Sequence, residues 1–316
     1  MEFLDILIAI LPVFLMVGIG CLTRLVGILN DDSEKSVMGL VLFVLYPCFI
    51  LWKVPGNESL QEVAIVGEAL AIGFLLTVLG FGVAWLIGFS LNVDDNQGRN
   101  TFCLSAGLQN YGFVPIPLII ALFGDSADST LGVLFIHNLG LEIALWTIGI
   151  IIVTGSMKGI IKRLINGPTV AITLGLILNF SGLHQQIPET AKTAIAQLGT
   201  CTIPISLILV GAALTGVIQS EKWETKWRVI VGSLGARFIF MPVIVLGTVW
   251  LLAFSPNLQR VLIVQSAMPA AIFPVVLAKH FGGKPGVAAQ IIIATSIASL
   301  VMTPLLLSFA LEFFSI

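Results

Sequence analysis

Ser105–Gly124 reads SAGLQNYGFVPIPLIIALFG. The stretch is mostly apolar, yet Gln109, Asn110, Gly112, Pro115 and Pro117 fall near its middle. Proline lacks a backbone N–H and its ring obstructs the preceding turn, so the pattern predicts a membrane helix that breaks or kinks here. Broken backbone at bilayer depth persists only where it is buried in protein or lines a cavity. Ser266–Gly282, SAMPAAIFPVVLAKHFG, is a second stretch of the same kind. Two interrupted spans at corresponding places in two halves point to the binding site of a secondary transporter.

The surrounding composition agrees with a lipid setting. Of 316 residues 57% are hydrophobic and 10% charged, against about 25% charged in a soluble domain, and the mean hydropathy is +1.06. The expected class is an all-α integral membrane protein. A net charge of −2 without a basic stripe gives nucleic acid no footprint. Cys21, Cys48, Cys103 and Cys201 are scattered through apolar segments and read as small buried hydrophobes, not as a disulfide framework or a metal cluster. Glu2 and Asp5 stand where a signal peptide needs positive charge, so the first span is expected to remain in the protein.

About 20 apolar residues cross a bilayer. On that measure ten spans are expected: 4–23, 37–52, 63–89, 101–123, 131–154, 168–183, 191–217, 229–254, 261–278 and 286–309. Turn formers punctuate them, as in Asn30-Asp31-Asp32, Pro55-Gly56-Asn57, Asp94-Asp95-Asn96 and Ser255-Pro256-Asn257. No stretch is left for a soluble domain, and no Gly-rich phosphate loop is present.

The two halves repeat. Pro12 matches Pro168, Gly20 and Gly27 match Gly175 and Gly182, and Pro47 matches Pro204. Arg99 with Ser105-Ala106 matches Arg260 with Ser266-Ala267, and Phe123-Gly124 matches Phe281-Gly282; all the offsets lie between 155 and 161. Five spans per repeat is odd, so the second repeat must insert inverted. Charge gives the same answer. Arg24, Lys35, Arg99, Lys158, Lys162, Arg163, Lys222, Lys226, Arg228, Lys279 and Lys284 fall on one side, against Lys53, Lys192 and Arg260 on the other. The first group is expected in the cytoplasm, with both termini outside it. The expected organisation is a first repeat over 1–154, a connecting loop over 155–167 and an inverted second repeat over 168–316.

QNYGFVPIPL resembles the N-x-G-F-x-G-x-P-L signature of the auxin efflux carrier family, and MPAAIFPVVLAKHFG resembles that family's M-P-x-A-x-N-x-x-x-L-A motif. The proline-centred LYPCFIL and TIPISLILVGAAL fit as well, and the likeness runs along essentially the whole chain. It implies ten helices in two inverted five-helix repeats, with helices 1, 2, 6 and 7 as a scaffold. Helices 3–5 and 8–10 would form a mobile transport domain in which broken helices 4 and 9 cross. Wider relatives are the bile-acid and sodium symporters. Plant members carry auxin, an indole carboxylate, and bacterial members resemble malate and malonate permeases. The short loop at 155–167 matches the compact prokaryotic type, placed in a bacterial inner membrane, and relatives imply a homodimer. Pro115 stands where the family often has Gly, and Phe273-Pro274 replaces the usual Asn and its neighbour, so one polar group of the crossing is absent.

Asn110 is the first candidate for a substrate contact, since half-helix N-termini at a break carry positive partial charge and suit a carboxylate. The alternative is that it only satisfies backbone groups freed by Pro115 and Pro117. Gln109, Tyr111, Pro117, Pro274, Gln265 and Ser266 surround the same two breaks. Arg237 can clamp a carboxylate with its planar fork or pair with Glu142 or Glu68. Glu142, with Asn138 one turn earlier and His137 beside it, is the candidate coupling group, since an ionisable residue at mid-membrane marks function. Protonated it serves H+ coupling; ionised it can ligate Na+ with carbonyls of the broken helix; paired with Arg237 it is structural. Thr295 and Ser299 can complete a polar cage or bond their own backbone. Pro47, Thr202 and Pro204 are expected on the scaffold face opposite the crossing. No Ser/His or paired-Asp arrangement at catalytic spacing is visible, so no enzyme is expected. The expected function is a secondary carrier of a small organic anion, a carboxylate such as malate, malonate or an auxin-like acid. An uncoupled facilitator or channel of the same fold is the alternative, and a non-transporting receptor the more distant one.

Overall fold

The computed structural model describes residues 3–93, 96–156, 164–220 and 226–316. Asp94 and Asp95 of one expected turn, most of the 155–167 loop, and Lys158, Lys162, Arg163 and Lys222 of the positive group lie outside the described residues.

Among the described residues every extended element is a helix, and seven helices are long and apolar enough to cross a membrane. The first is α1, Phe3–Leu25. Next, α2 (Asp31–Leu40) runs through a π-helical turn, Val41–Leu45, into α3 (Tyr46–Lys53). The wider turn accommodates Pro47, which cannot donate back to the preceding turn. Asn30 begins α2 as a full capping box with Ser33, so the expected turn is the helix start itself and the span begins before residue 37. Then comes α4, Val63–Ser90.

The fourth expected span is two short helices, α5 (Asn96–Gly107) and α6 (Pro115–Phe123). Gly124, at φ +47°, turns the chain into α7 (Ala127–Ala144), which continues through a second π turn, Leu145–Gly149, into α8 (Ile150–Thr154). Helix α9, Gly167–Ser181, is capped by Asn166 and at 15 residues is shorter than the seven membrane-length helices. Helices α10 (Glu189–Thr200) and α11 (Thr202–Ser220) form one long unit interrupted just before Pro204. In the next unit α12 (Trp227–Gly235) passes through a third π turn, Ala236–Phe240, into α13 (Met241–Leu251). That turn contains Arg237 and precedes Pro242, as the first precedes Pro47. The ninth expected span is again two pieces, α14 (Pro256–Ser266) and α15 (Phe273–Phe281), and α16 (Pro285–Phe314) closes the chain.

The helices sort by their packing. Helix α1 lies along α11, and α3 packs on α9 and α10. Helix α4 lies along α7 and α5, α14 along α7 and α13, and α16 along α12 and α5. Small residues set the closest approaches, as in membrane interiors generally. A Cβ on Gly20 would stand 2.0 Å from the Ile208 carbonyl oxygen, and one on Gly211 1.9 Å from that of Val17, so α1 and α11 touch through backbone. Gly73 and Gly140 do the same for α4 and α7, each 2.0 Å from a carbonyl of the other helix. Leu4, Ile8, Leu11, Leu15 and Val243 point outward, toward the surface that faces lipid. All four cysteines are free, but only Cys103 is fully buried; Cys201 is exposed, against the expectation of four buried thiols.

Candidate functional site

Residues 108–114 and 267–272 are not helical, and they meet. The Asn110 N–H donates to the Pro269 carbonyl at 2.7 Å, and the Ala271 N–H to the Leu108 carbonyl at 3.0 Å. Gln109 and Ala270 thereby form a single antiparallel bridge, one rung of sheet between four half-helices. Each break frees peptide groups that lipid cannot satisfy, and each supplies partners for the other.

Side chains take up the rest. The Tyr111 carbonyl accepts from Asn138 Nδ2 at 2.7 Å and from Gln265 Nε2 at 3.4 Å. Gln265 Nε2 also lies 3.4 Å from Asn138 Oδ1. Arg237, 1% exposed, aims Nε and Nη2 at the Met268 carbonyl, at 3.3 and 3.2 Å. The Ala270 N–H donates to Thr295 Oγ1 at 3.2 Å, and Thr303 Oγ1 donates to the Ala267 carbonyl at 2.7 Å. Asn110 Oδ1 takes only a long contact, 3.5 Å, from the Val114 N–H. Several expected residues thus hold the broken backbone in place. Around them, Gln109 Oε1, Gln265 Oε1, Arg237 Nη1, His137 Nε2 and Ser105 Oγ are buried without a hydrogen-bond partner in the protein. Such atoms are costly in a dry interior and are the groups a polar ligand can satisfy.

Other expected residues lie elsewhere or act differently. Ser266 and Ser299 bond back to their own helices through Ile263 and Ser296. Pro115 and Pro117 lead α6, so of its first three residues only Ile116 has an N–H, and that one reaches Gly112 at 3.4 Å. The N-terminus of α6 therefore offers a carboxylate few amide donors, contrary to expectation. Pro274 removes a donor from the first turn of α15 in the same way. Pro204 is exposed and Pro47 packs toward Gly167, while Thr202 is buried with its hydroxyl unpartnered.

Among the described residues no ion pair joins Glu142 to Arg237. Glu142 Oε2 instead accepts from Asn166 Nδ2 at 3.0 Å and from Thr169 Oγ1 at 3.1 Å. The partners are the N-cap and a first-turn residue of α9, at the end of the helix where its dipole favours a negative group.

Tyr46, Thr303, Asn166 and Thr169 were not expected here. The Tyr46 hydroxyl lies 3.8 Å from where a Gly112 Cβ would stand, and its ring meets Phe113 and Phe135 edge-on at 6.1 and 6.0 Å. One signal was available: the chain has two tyrosines, Tyr46 and Tyr111, and both border the crossing.

The family described as Membrane transport protein matches residues 5–160 and 156–307. The chain is also 24% identical over 271 residues to an uncharacterized transporter of Methanocaldococcus jannaschii, covering 85% of this chain and 87% of that one. It is 23% identical over 300 residues to an uncharacterized transporter of Methanothermobacter thermautotrophicus, covering 94% and 95%. The resemblance carried by the two proline-broken motifs agrees with the match. With apolar membrane-length helices, two broken segments bridged to one another and a family match along nearly its whole length, the chain belongs to the membrane transport protein family and is an integral membrane transporter rather than an enzyme.

Proposed function

We propose that the protein is a secondary carrier of a small organic anion, a carboxylate of the malate, malonate or auxin-like kind, working by an elevator-type movement that exposes the crossing to alternate sides. The observation that carries this is the bridge between Gln109 and Ala270, set among buried polar atoms that lack protein partners. Ten spans then follow: α1, α2–α3, α4, α7–α8, α9, α10–α11, α12–α13 and α16, with the two broken units α5–α6 and α14–α15, arranged as two inverted repeats over 1–154 and 168–316. Support for that division comes from the two family matches, which meet at residues 156–160. The scaffold would be α1, α2–α3, α9 and α10–α11, and the moving body the remaining helices. In favour of that division, α1 packs on α11 and α3 on α9 and α10, while α4, α5, α7, α12, α14 and α16 pack among themselves. Arg237 Nη1 and the side-chain NH2 groups of Asn110 and Gln109 supply donors for a carboxylate, whereas Gln265, its Nε2 already engaged, offers only its Oε1 as an acceptor. H+ or Na+ is the coupling ion of this proposal, and a prokaryotic cytoplasmic membrane its place.

The test is uptake of radiolabelled malate, malonate and indole-3-acetate into proteoliposomes under imposed Na+ and pH gradients. Saturable uptake driven by either gradient is the expected result. Saturable flux indifferent to both would make the protein a facilitator, and binding without flux would make it a receptor.

A further inference from the structure

Helix α7 is fastened at its start to the end of α3 and the turn after it, and near its far end to the start of α9. Near its start, Asp128 pairs with Lys53 at 2.6 Å, and the Asp128 carbonyl accepts from Asn57 Nδ2 at 2.9 Å. Near its far end, Glu142 is held by Asn166 and Thr169. The two attachments are 14 residues apart, about 21 Å along a helix. Between them the contact is mostly aromatic, Phe135 meeting Tyr46 and Phe49 edge-on at 6.0 and 5.8 Å, with one polar interaction, between the Tyr46 hydroxyl and Asn138. An apolar face with few directional bonds resists sliding weakly, so the polar ends set the register. Asp128 is largely exposed, and an exposed pair contributes little. Glu142 is 8% exposed, and both of its bonds are made away from water, where a lost partner is not replaced.

We propose that Glu142, Asn166 and Thr169 form a clasp that locks α7 to the scaffold in this conformation, and that opening the clasp is a required step of the transport movement. This rests on the two-body proposal above. The clasp is tied to the crossing by position: Asn138, one turn before Glu142 on the same face of α7, holds the Tyr111 carbonyl. A ligand that recruits Asn138 pulls on the helix that carries Glu142. Asn166 does two jobs with separate atoms, since Oδ1 caps α9 by accepting from the Thr169 N–H at 2.9 Å while Nδ2 reaches Glu142. The clasp can therefore be cut without uncapping the helix.

The experiment is amide hydrogen exchange on the full-length protein in nanodiscs, following Tyr111–Val114 and the first two turns of α9. The paired change Asn166→Ser and Thr169→Val keeps a good N-cap and removes both donors to Glu142. Exchange in both segments is expected to quicken by about tenfold or more, the scale of two lost hydrogen bonds. The paired change Glu142→Gln and Asn166→Asp exchanges donor for acceptor across the same contact, and wild-type exchange is expected to return. Wild-type rates in the first variant, or fast exchange in both, would overturn the clasp. Should the first variant not fold, Thr169→Val alone carries the test, with unchanged exchange as the refuting result. No substrate is needed, so absence of carboxylate flux in proteoliposomes would fail the transport proposal separately.

Discussion

The Asn110 N–H donates to the Pro269 carbonyl over 2.7 Å, joining residues 159 positions apart. Each lies in a segment whose helix has stopped, so the bond replaces one that a continuous helix would have made internally. The bond belongs to the backbone of Asn110 and leaves its side chain nearly unengaged.

Asn110→Ala should therefore keep the crossing and lose the ligand contact. Malonate uptake in proteoliposomes is expected to fall by tenfold or more, about the effect of one polar contact. The melting temperature in detergent should stay close to that of the wild type. Undiminished uptake would remove Asn110 from the site, and a large drop in melting temperature would make it structural.

Arg237→Met should be costly to stability. It leaves the Met268 carbonyl, which accepts from Nε and Nη2, buried without a partner. The expected loss is about 1–3 kcal/mol, the penalty for orphaning a buried acceptor, read as a lower denaturation midpoint. Arg237→Lys should recover part of that stability but not the two-pronged contact.

Gly140→Ala places a methyl 2.0 Å from the Leu70 carbonyl oxygen, so α4 and α7 must part. Destabilisation of about 1–3 kcal/mol is expected, as for overpacked cores. Gly82→Ala is the matched control, because nothing lies within 4 Å of its added Cβ. It should be neutral or stabilising by up to about 1 kcal/mol, as alanine is the better helix former.

Charge asymmetry between the two sides predicts that both termini face away from the cytoplasm. An epitope fused after Ile316 should be cleaved by protease added to intact spheroplasts, whereas a tag inserted directly after Ser220 should be protected. The reverse pattern would turn the molecule over.

Several features were legible because they are local. Pro115, Pro117 and Pro274 lack an N–H wherever the chain puts them, so the positions of both breaks could be read directly. The aliphatic runs set the span lengths, although the π turns ahead of Pro47 and Pro242 were not visible, since they depend on how a long helix absorbs a proline. The same prolines misled at one point. They mark the start of α6, but they also strip it of the amide donors that a half-helix N-terminus was expected to offer.

What residue order determined by itself was the solvent and the weak points: transfer into lipid and the loss of a backbone donor are properties of single residues and short runs. Tertiary structure decided which polar groups meet. Glu142 and Arg237 looked like natural partners, yet one faces the first turn of α9 and the other the carbonyl of Met268. Which helix faces come together depends on crossing geometry and on the close glycine contacts of α4 with α7 and α1 with α11. Those contacts join residues far apart in the chain, so no local pattern specifies them.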